Sequence, residues 1–553
     1  MDSTDAAGAF PRLGQDQIQA LSGYGERRRT RPGDVLIQEG QRQRDLFVVL
    51  RGAVAVAEGR GTPEERLIGV HGPGWFLDEV GLLSGQPSFV SAVVREAGEV
   101  LAVPVPALLE LVGRDPRLGD VVLRAFLCRR EQLLGAVAGI RIAGSRFSPG
   151  TRRLREFAAR NRIPHTWIDL EEDADAEHLL RRMRVRPEDT PFVIWHDGQV
   201  LRNPTNAELA GLLGPDAVAE LPGSTVDLVI AGAGPGGLAA AVYGASEGLR
   251  TVVLDAVGAG GQAGTSSRIE NYLGFPAGIS GAELADRAVV QAEKFGAAIA
   301  APAAVVGLGR RDGYQAVRVA GRAEDLRARA VVVATGARYR RLDVPRLAEF
   351  EGTSVYYAAT LVEAGYCARR PVVVVGGGNS AGQAVVFLRQ HAQSVRLVIR
   401  HGDLGRDMSR YLVDQIERDD RVEVLRHSEV CALAGADGRL ESVVVEELRT
   451  GARRSLEAGL LFVFIGAKPC TDWLAGHVAL DDRGYVRTGP AVGATVDGDR
   501  PPDLLETSTP GVFAVGDVRS GSTKRVASAV GEGAMAIRLV HQHLARIGHL
   551  PAG

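Results

Sequence analysis

The sequence predicts a multidomain chain: an N-terminal β-roll, a small α/β unit, and then two parallel α/β units, the second inserted in the first. Three observations predict it. At 553 residues the chain exceeds what one hydrophobic core holds, so about three or four domains are expected. Early residues alternate apolar and polar at period two between glycines, the pattern of short strands and tight turns. Two glycine clusters, at 232–237 and 376–381, each lie between an apolar run of strand length and a helical stretch, the grammar of a parallel sheet.

Composition bounds the function. The chain is 45% hydrophobic and 24% charged with a net charge of −2, a balance that leaves no electrostatic footprint for nucleic acid. No run approaches the roughly 18 apolar residues of a membrane helix, and "VVVVGGG" reads as a short buried strand. The opening "MDSTDAAGAF" lacks the basic end and apolar core of a secretory signal, so a cytoplasmic protein is expected. The four cysteines, Cys128, Cys367, Cys431 and Cys470, are far apart, with no CxxC and no metal-type spacing. They read as small buried apolar side chains, and no metal site is expected.

Residues 10–140 carry the β-roll. "RPGDVLIQEGQRQRDLFVVLRGAVAVAEG" alternates in polarity and is punctuated by Gly33, Gly40 and Gly52; "DPRLGDVVLRAFLCRREQLL" then repeats apolar residues at helical spacing. With "WFLDEVGLLSGQPSFVSAVV", this glycine placement resembles the cyclic-nucleotide-binding domain family. The resemblance implies a glycine-acid pair on the ribose and an arginine shortly after a proline on the cyclic phosphate. Glu79 supplies the acid, but Asp78 stands where the glycine is usual and Ser88 follows Pro87 where the arginine is expected. A phosphate without that cation loses a charge-assisted bidentate partner, worth about 1.5–3 kcal/mol. A structural or docking role is expected in its place.

Residues 141–215 form the small α/β unit. "GIRIAGS" is a strand, "TRRLREFAARNRI" an amphipathic helix, "HTWIDL" a second strand, and "DTPFVIWHDGQVL" a hairpin around Asp197-Gly198. The order resembles the glutaredoxin/thioredoxin fold, with Thr190-Pro191 where that fold has its cis-proline. The resemblance places a CxxC at the start of the first helix, where the helix dipole lowers a thiol pKa. Here the stretch is "SPGT", with Ser148 and Thr151. A hydroxyl is not a two-electron redox group, so the unit is expected to be a redox-inert docking or spacer domain. "LGPDAVAELPGSTV" follows as a linker.

The remaining chain carries two dinucleotide-type units, at 225–343 with 467–546 and, inserted between, at 344–466. In "VDLVIAGAGPGGLAAAVYGASEGLRTVVLD", Gly232, Gly234 and Gly237 make GxGxxG, with Pro235 and Gly236 opening the helix. The first glycine permits the tight turn, the second lets backbone approach a pyrophosphate, and the third lets helix and strand pack closely. Asp255, about 20 residues on, is placed to take a ribose hydroxyl. In "RPVVVVGGGNSAGQAVVFLRQHAQSVRLVIRHGD", Gly376, Gly378 and Ala381 make GxGxxA around Asn379 and Ser380. Its second strand ends at Arg400, not at an acid. A guanidinium there pairs with a 2′-phosphate and favours NADPH over NADH, with Arg406 assisting. His401 reads as a surface residue. A flavin domain and a pyridine-nucleotide domain, hence FAD and NADPH, are the expected pair.

From about 225 to 545 the chain resembles the low-molecular-weight thioredoxin reductase family. "GAGGQAGTSSRIENYLGFP" matches that family's flavin-contacting GGQ and ENY-GFP loop, here Gly260, Gly261, Gln262, Asn271 and Tyr272. "VVVATGARYRRLDVP" matches its ATG exit from the flavin domain, here Ala334, Thr335 and Gly336, and "LLFVFIGAKPCTDWL" its return. "STPGVFAVGDVRSGSTKRVASAVGEGAMA" matches its last flavin strand and helix. The resemblance implies that Gly516-Asp517 meets the ribityl chain and that the helix after Arg525 aims the amides of Val526 and Ala527 at the flavin ring. It also implies a homodimer. The three-module order resembles fusions of a cyclic-nucleotide-type domain to a thioredoxin-reductase-like flavoprotein.

One departure matters most. The family carries a CATC-type dithiol just before the second glycine turn, and this chain reads "VYYAATLVEAGYCARRP". Ala358 and Leu361 take the cysteine positions, Val362 stands where an acid follows, and Cys367 lies downstream without a partner. Hydride transfer from nicotinamide to flavin needs only two stacked rings, so no catalytic residue is assigned. The expectation is an NADPH-oxidising FAD enzyme whose electrons leave directly to an external acceptor: a small electron carrier, a quinone, oxygen or a partner's disulfide. Two alternatives stand beside it, a flavin- and NADPH-binding redox sensor or scaffold without turnover, and thioredoxin-disulfide reduction by an unorthodox route. Ferredoxin reductases of the same fold carry a C-terminal aromatic ring over the flavin, which the tail "LARIGHLPAG" does not supply.

Overall fold

The computed structural model describes residues 10–62, 65–77, 82, 87–136, 139–145, 148–171, 173, 176–195, 199–212, 225–266, 269, 271–351, 353–357, 359, 361–367, 369–436, 439–474, 476–493, 495–496 and 500–549. The Asp78-Glu79 pair, the Asp197-Gly198 turn, most of the linker and Ala358 fall outside them.

The alternating N-terminal segments form an antiparallel sheet in the order Glu26–Thr30, Ser91–Pro104, Asp45–Glu58, Arg66–His71. Its two long strands turn at glycine: Gly52 has φ +85°, and a Cβ on the facing Gly98 would lie 1.9 Å from the Arg51 carbonyl oxygen. Leu46, Val48, Phe76 and Leu101 meet Leu108, Leu118 and Val122 from the helices Val105–Arg114 and Pro116–Ala136 in one core. Ser88 is buried, and its hydroxyl donates to its near neighbour Val90 O at 2.5 Å.

In the small α/β unit, strand Ile140–Ala143 runs parallel to His165–Ile168 and antiparallel to Phe192–Ile194. Ser148 caps the helix Pro149–Arg160, its Oγ accepting from Thr151 N at 3.3 Å. The Thr190-Pro191 peptide is cis. Thr151 packs with Pro191 against Gly144, where a Cβ would lie 2.2 Å from Thr151 Oγ1 and 2.8 Å from Pro191 Cβ.

The first dinucleotide-type unit is built on a parallel sheet: Ala298–Ala300, Thr251–Leu254, Val226–Ala231, Leu326–Val333 and Val512–Ala514. Every residue of Val226–Ala231 is buried, as expected where helices cover both faces. The helices Pro235–Ser246 and Val526–Arg546 lie together on it. The inserted unit has its own five-stranded parallel sheet, with Pro371–Val375 between Leu460–Val463 and Ser394–Val398. An antiparallel ribbon, Ala337–Tyr339 against Ala467–Pro469, carries the chain out and back between the two sheets.

The small α/β unit touches both sheets' domains. Arg155 donates to Tyr366 Oη at 3.3 Å and Arg152 lies over the Tyr356 ring at 5.9 Å, while Asn161 donates to Val257 O at 2.7 Å. Among the described residues, no helix is long and apolar enough to cross a membrane.

Candidate functional site

At the first glycine turn the chain leaves a fully buried strand and enters a helix within a few residues. Gly232 has φ +108°, and a Cβ there would lie 2.4 Å from Ala334 O. A Cβ on Gly237 would lie 1.9 Å from Gly232 O, so helix and turn close only on glycine. Gly234 is different: the nearest atom to its Cβ position is Gly261 Cα at 3.9 Å. Two glycine backbones therefore face each other across the mouth of the turn, in front of the N-terminus that Pro235 opens. This cradle of bare backbone at a helix N-terminus fits a pyrophosphate. Gly236 faces the opposite side, where its Cβ position is 3.1 Å from Ala529 O of the last helix.

Asp255 follows the neighbouring strand Thr251–Leu254. Its Oδ2 accepts from Ala233 N at 2.8 Å, inside the glycine turn, and its Oδ1 accepts from Val257 N and Gly258 N at 2.9 Å each. The carboxylate thus joins the glycine turn to the turn that follows its own strand.

Three further segments reach the same unit. The Gln262 side-chain amide donates to Ala337 O on the crossing ribbon. Thr335 Oγ1 donates to Cys470 O at 2.8 Å and Cys470 N to Gly336 O at 3.0 Å, so the outgoing and returning chains are tied where they cross. Asn271 is exposed, and beside it Tyr272 stacks on Phe275 with ring centroids 6.0 Å apart.

The last segment brings acid and helix together. Gly516 (φ +71°) donates its N–H to Glu532 Oε2 at 2.7 Å, and Glu532 pairs with Arg519 at 2.5 Å. Burial raises the Asp517 carboxyl, the Lys524 charge opposes that shift and Glu532 adds to it. The Lys524 ammonium donates to Asp517 O and lies 4.4 Å from the centroid of the Tyr485 ring. Burial and the Asp517 charge push Tyr339 up to about 12. Arg525 occupies the N-cap of Val526–Arg546 with extended backbone, and no side chain among the described residues caps Val526 or Ala527. Amides left uncapped at a helix start fit the electron-rich edge of a bound ring. Tyr339, Lys524 and Glu532 were not legible in the sequence, because nothing in their local pattern marks them.

The second turn repeats the first. Gly376 has φ +139°, and a Cβ there would lie 2.3 Å from Phe464 O, while the nearest neighbour of Gly378 is Asp407 O at 3.8 Å. Ala381 is buried in the first turn of the helix Asn379–Leu388, Ser380 is exposed, and Asn379 Oδ1 accepts from Ser409 N at 2.6 Å. Arg400 and Arg406 are exposed and each holds a carboxylate, Glu429 at 3.3 Å and Asp407 at 3.4 Å. His401, expected on the surface, packs instead against the turn: a Cβ on Gly377 would lie 2.7 Å from its Nε2, which is 3.4 Å from Asp407. The cause is local, since a bare glycine backbone leaves room for the ring.

None of the four cysteines forms a disulfide. Cys367 is buried, its Sγ donates to Glu363 O at 3.2 Å, and burial pushes its thiol up to about 12.

A family model for pyridine nucleotide-disulphide oxidoreductases matches residues 226–533, and one for cyclic nucleotide-binding domains matches residues 27–115. A Clostridium pasteurianum protein described as a 34.2 kDa protein in the rubredoxin operon is 32% identical over 58% of this chain and 97% of its own length. Thioredoxin reductase from Streptomyces clavuligerus is 33% identical, covering 58% of this chain and 94% of its own. Among solved structures, Lactococcus lactis thioredoxin reductase aligns over 58% of this chain and 100% of its own with a TM-score of 0.53 and 27% identity. T. acidophilum thioredoxin reductase gives 0.52 and 28%, over 58% of this chain and 99% of its own. The two glycine turns, the crossing ribbon and these likenesses agree: the chain belongs to the pyridine nucleotide-disulphide oxidoreductase family, as a thioredoxin-reductase-like, NADPH-dependent flavin oxidoreductase with FAD and NADPH as cofactors.

Proposed function

We propose that this chain oxidises NADPH at FAD and delivers the electrons to an external acceptor with no dithiol relay of its own. The observation that carries the reading is the cysteine inventory. Ala358 and Leu361 occupy the dithiol positions, and the nearest thiol, Cys367, is buried, bonded to a backbone carbonyl and held protonated. A thiolate is the nucleophile in disulfide chemistry, so a thiol pushed to about 12 is inert at neutral pH.

The turn Gly232–Gly237, with Asp255, Gly261, Gln262, Asn271, Thr335, Gly336, Gly516 and Asp517, would hold FAD, with Arg525, Val526 and Ala527 at the helix start. The turn from Gly376 to Ala381, with Arg400 and Arg406, would hold NADPH. Together the two cofactors supply hydride transfer between nicotinamide and flavin. The protein's part is to place and shield the rings. Tyr339, on the ribbon, and Tyr357, which precedes Ala358 in sequence, stack with centroids 6.3 Å apart. Likeness to a protein of a rubredoxin operon supports a small electron carrier as the acceptor class.

Anaerobic titration with NADPH tests this, following the visible flavin band with NADH as the control. Bleaching at about one NADPH per flavin is expected, since on this reading the flavin has no dithiol to pass its electrons to. Uptake near two per flavin would reveal an internal electron store and overturn the reading. Absence of bleaching would leave a nucleotide-binding sensor.

A further inference from the structure

Asp255 has two oxygens and roughly four lone-pair positions. The N–H groups of Ala233, Val257 and Gly258 use three of them, which leaves one acceptor position on Oδ2 beside the glycine turn. The direction of that remaining lone pair is set by the 257–258 turn, whose N–H groups point inward onto Oδ1.

The carbonyls of the same turn point the other way, and the small α/β unit holds both. Asn161, just past the helix Pro149–Arg160, donates from Nδ2 to Val257 O at 2.7 Å and to Phe157 O at 2.9 Å. Arg160 donates to Gly258 O at 3.0 Å. The fit is close, because a Cβ on Gly258 would lie 2.9 Å from Arg160 Cβ and 3.0 Å from Asn161 Nδ2. Alongside, Arg162 pairs with Asp286 and donates to Ala285 O at 3.4 Å on the helix Gly281–Lys294. Ala285 in turn backs Gly260, the neighbour of Gly261, with its methyl 3.0 Å from the Cβ position of Gly260.

We infer that Asn161 and Arg160 are positioning residues for the FAD site: by gripping the Val257 and Gly258 carbonyls they fix the turn that aims Asp255 at the first glycine cradle. This rests on the reading of Asp255 as a FAD-contacting acid. It gives the thiol-less α/β unit a role that needs no redox chemistry, as a wall of the flavin site supplied from a different part of the chain.

The test is FAD affinity of the full-length apoprotein, read by quenching of FAD fluorescence on reconstitution, for Asn161→Ala, Arg160→Met, Asp255→Asn and the pair Asn161→Ala with Asp255→Asn. Arg160→Met keeps the stem packed on Gly258 and removes the donor together with a 3.6 Å pair to the half-exposed Glu156, so it serves where Asn161→Ala fails to fold. Asn161→Ala is expected to weaken FAD about tenfold and Arg160→Met about threefold, with NADPH affinity unchanged. Asp255→Asn weakens FAD too, and in its background Asn161→Ala adds nothing, because both act through one carboxylate. A lowered melting temperature with unchanged FAD affinity in Asn161→Ala and Arg160→Met would overturn the inference alone. So would an Asn161→Ala effect that adds in full to Asp255→Asn. Unchanged FAD affinity in Asp255→Asn would overturn the reading of Asp255 itself.

Discussion

Gly533 crosses Gly236 so closely that a Cβ on Gly533 would lie 2.2 Å from the Gly236 carbonyl oxygen. The crossing joins the helix that starts at the first glycine turn to the helix that starts at Val526. The two candidate FAD-facing helix starts are therefore set relative to each other by a contact at the first turn of one helix and two turns into the other.

Gly533→Ala should test that coupling. The added methyl cannot fit without moving a backbone, and overpacking of this kind costs about 1–3 kcal/mol. The expected outcome is a lower melting temperature together with weaker FAD retention on gel filtration. Gly531→Ala, where the Cβ position meets nothing within 4 Å, should leave FAD retention unchanged and the melting temperature no lower, since alanine is the better helix former.

The second glycine turn should be separable from the first. Gly376 combines φ +139° with a Cβ position 2.3 Å from Phe464 O, so Gly376→Ala strains backbone on both sides of the turn. We expect NADPH affinity by calorimetry to fall at least about tenfold, the equivalent of about 1.4 kcal/mol, with FAD content intact. Loss of FAD from Gly376→Ala would show that the two units are not independent.

The cations near the second turn begin in ion pairs, which makes a signed prediction possible. Arg400→Ala should raise the KM for NADPH several-fold while leaving that for NADH unmoved. Glu429→Gln should do the opposite, because it frees the Arg400 guanidinium from a carboxylate 3.3 Å away. The gain will be small, a few-fold at most, since exposed pairs are weak. Steady-state kinetics with both nucleotides at low ionic strength would show it, and an unchanged NADPH-to-NADH ratio in both variants would remove Arg400 from the nucleotide site.

Much of this arrangement was legible in the sequence for a local reason. Gly232, Gly237 and Gly376 meet their constraint within a few residues or across one adjacent strand, and such constraints leave a short, fixed spacing. The same holds for the Thr335-Gly336 exit and for the alternating strands around Gly52. Contacts between modules left no such trace. Asn161 meets Val257 across 96 residues, Arg162 meets Asp286 across 124 and Arg155 meets Tyr366 across 211. An arginine or asparagine at the end of an amphipathic helix looks the same whether it faces water or a neighbour's carbonyl. The pairing of Arg400 and Arg406 with acids, and the seat of His401 on Gly377, were hidden likewise, because a cation's partner is chosen in three dimensions.

The acid limb of stability should trace to Glu506. Its carboxylate is fully buried. Burial raises its pKa, but that is outweighed by Arg500, bonded at 2.8 and 2.9 Å, and by the N–H groups of Asp503 and Gly511, so the net shift is downward. A carboxyl with a depressed folded-state pKa binds its proton more tightly when unfolded. Its contribution is therefore complete above the unfolded value of about 4.3 and is lost as the pH falls through the lower folded value. Glu506→Gln keeps the shape and removes the titration. It should lower the melting temperature at pH 7, since Arg500 loses its two short bonds to the Glu506 carboxylate and keeps the longer pair with Asp503 at 3.5 Å, at a cost of about 1–3 kcal/mol. It should also flatten the decline between about pH 4.3 and more acid conditions. Melting curves of both proteins across that window would decide it: parallel declines would mean that other carboxylates carry the acid sensitivity.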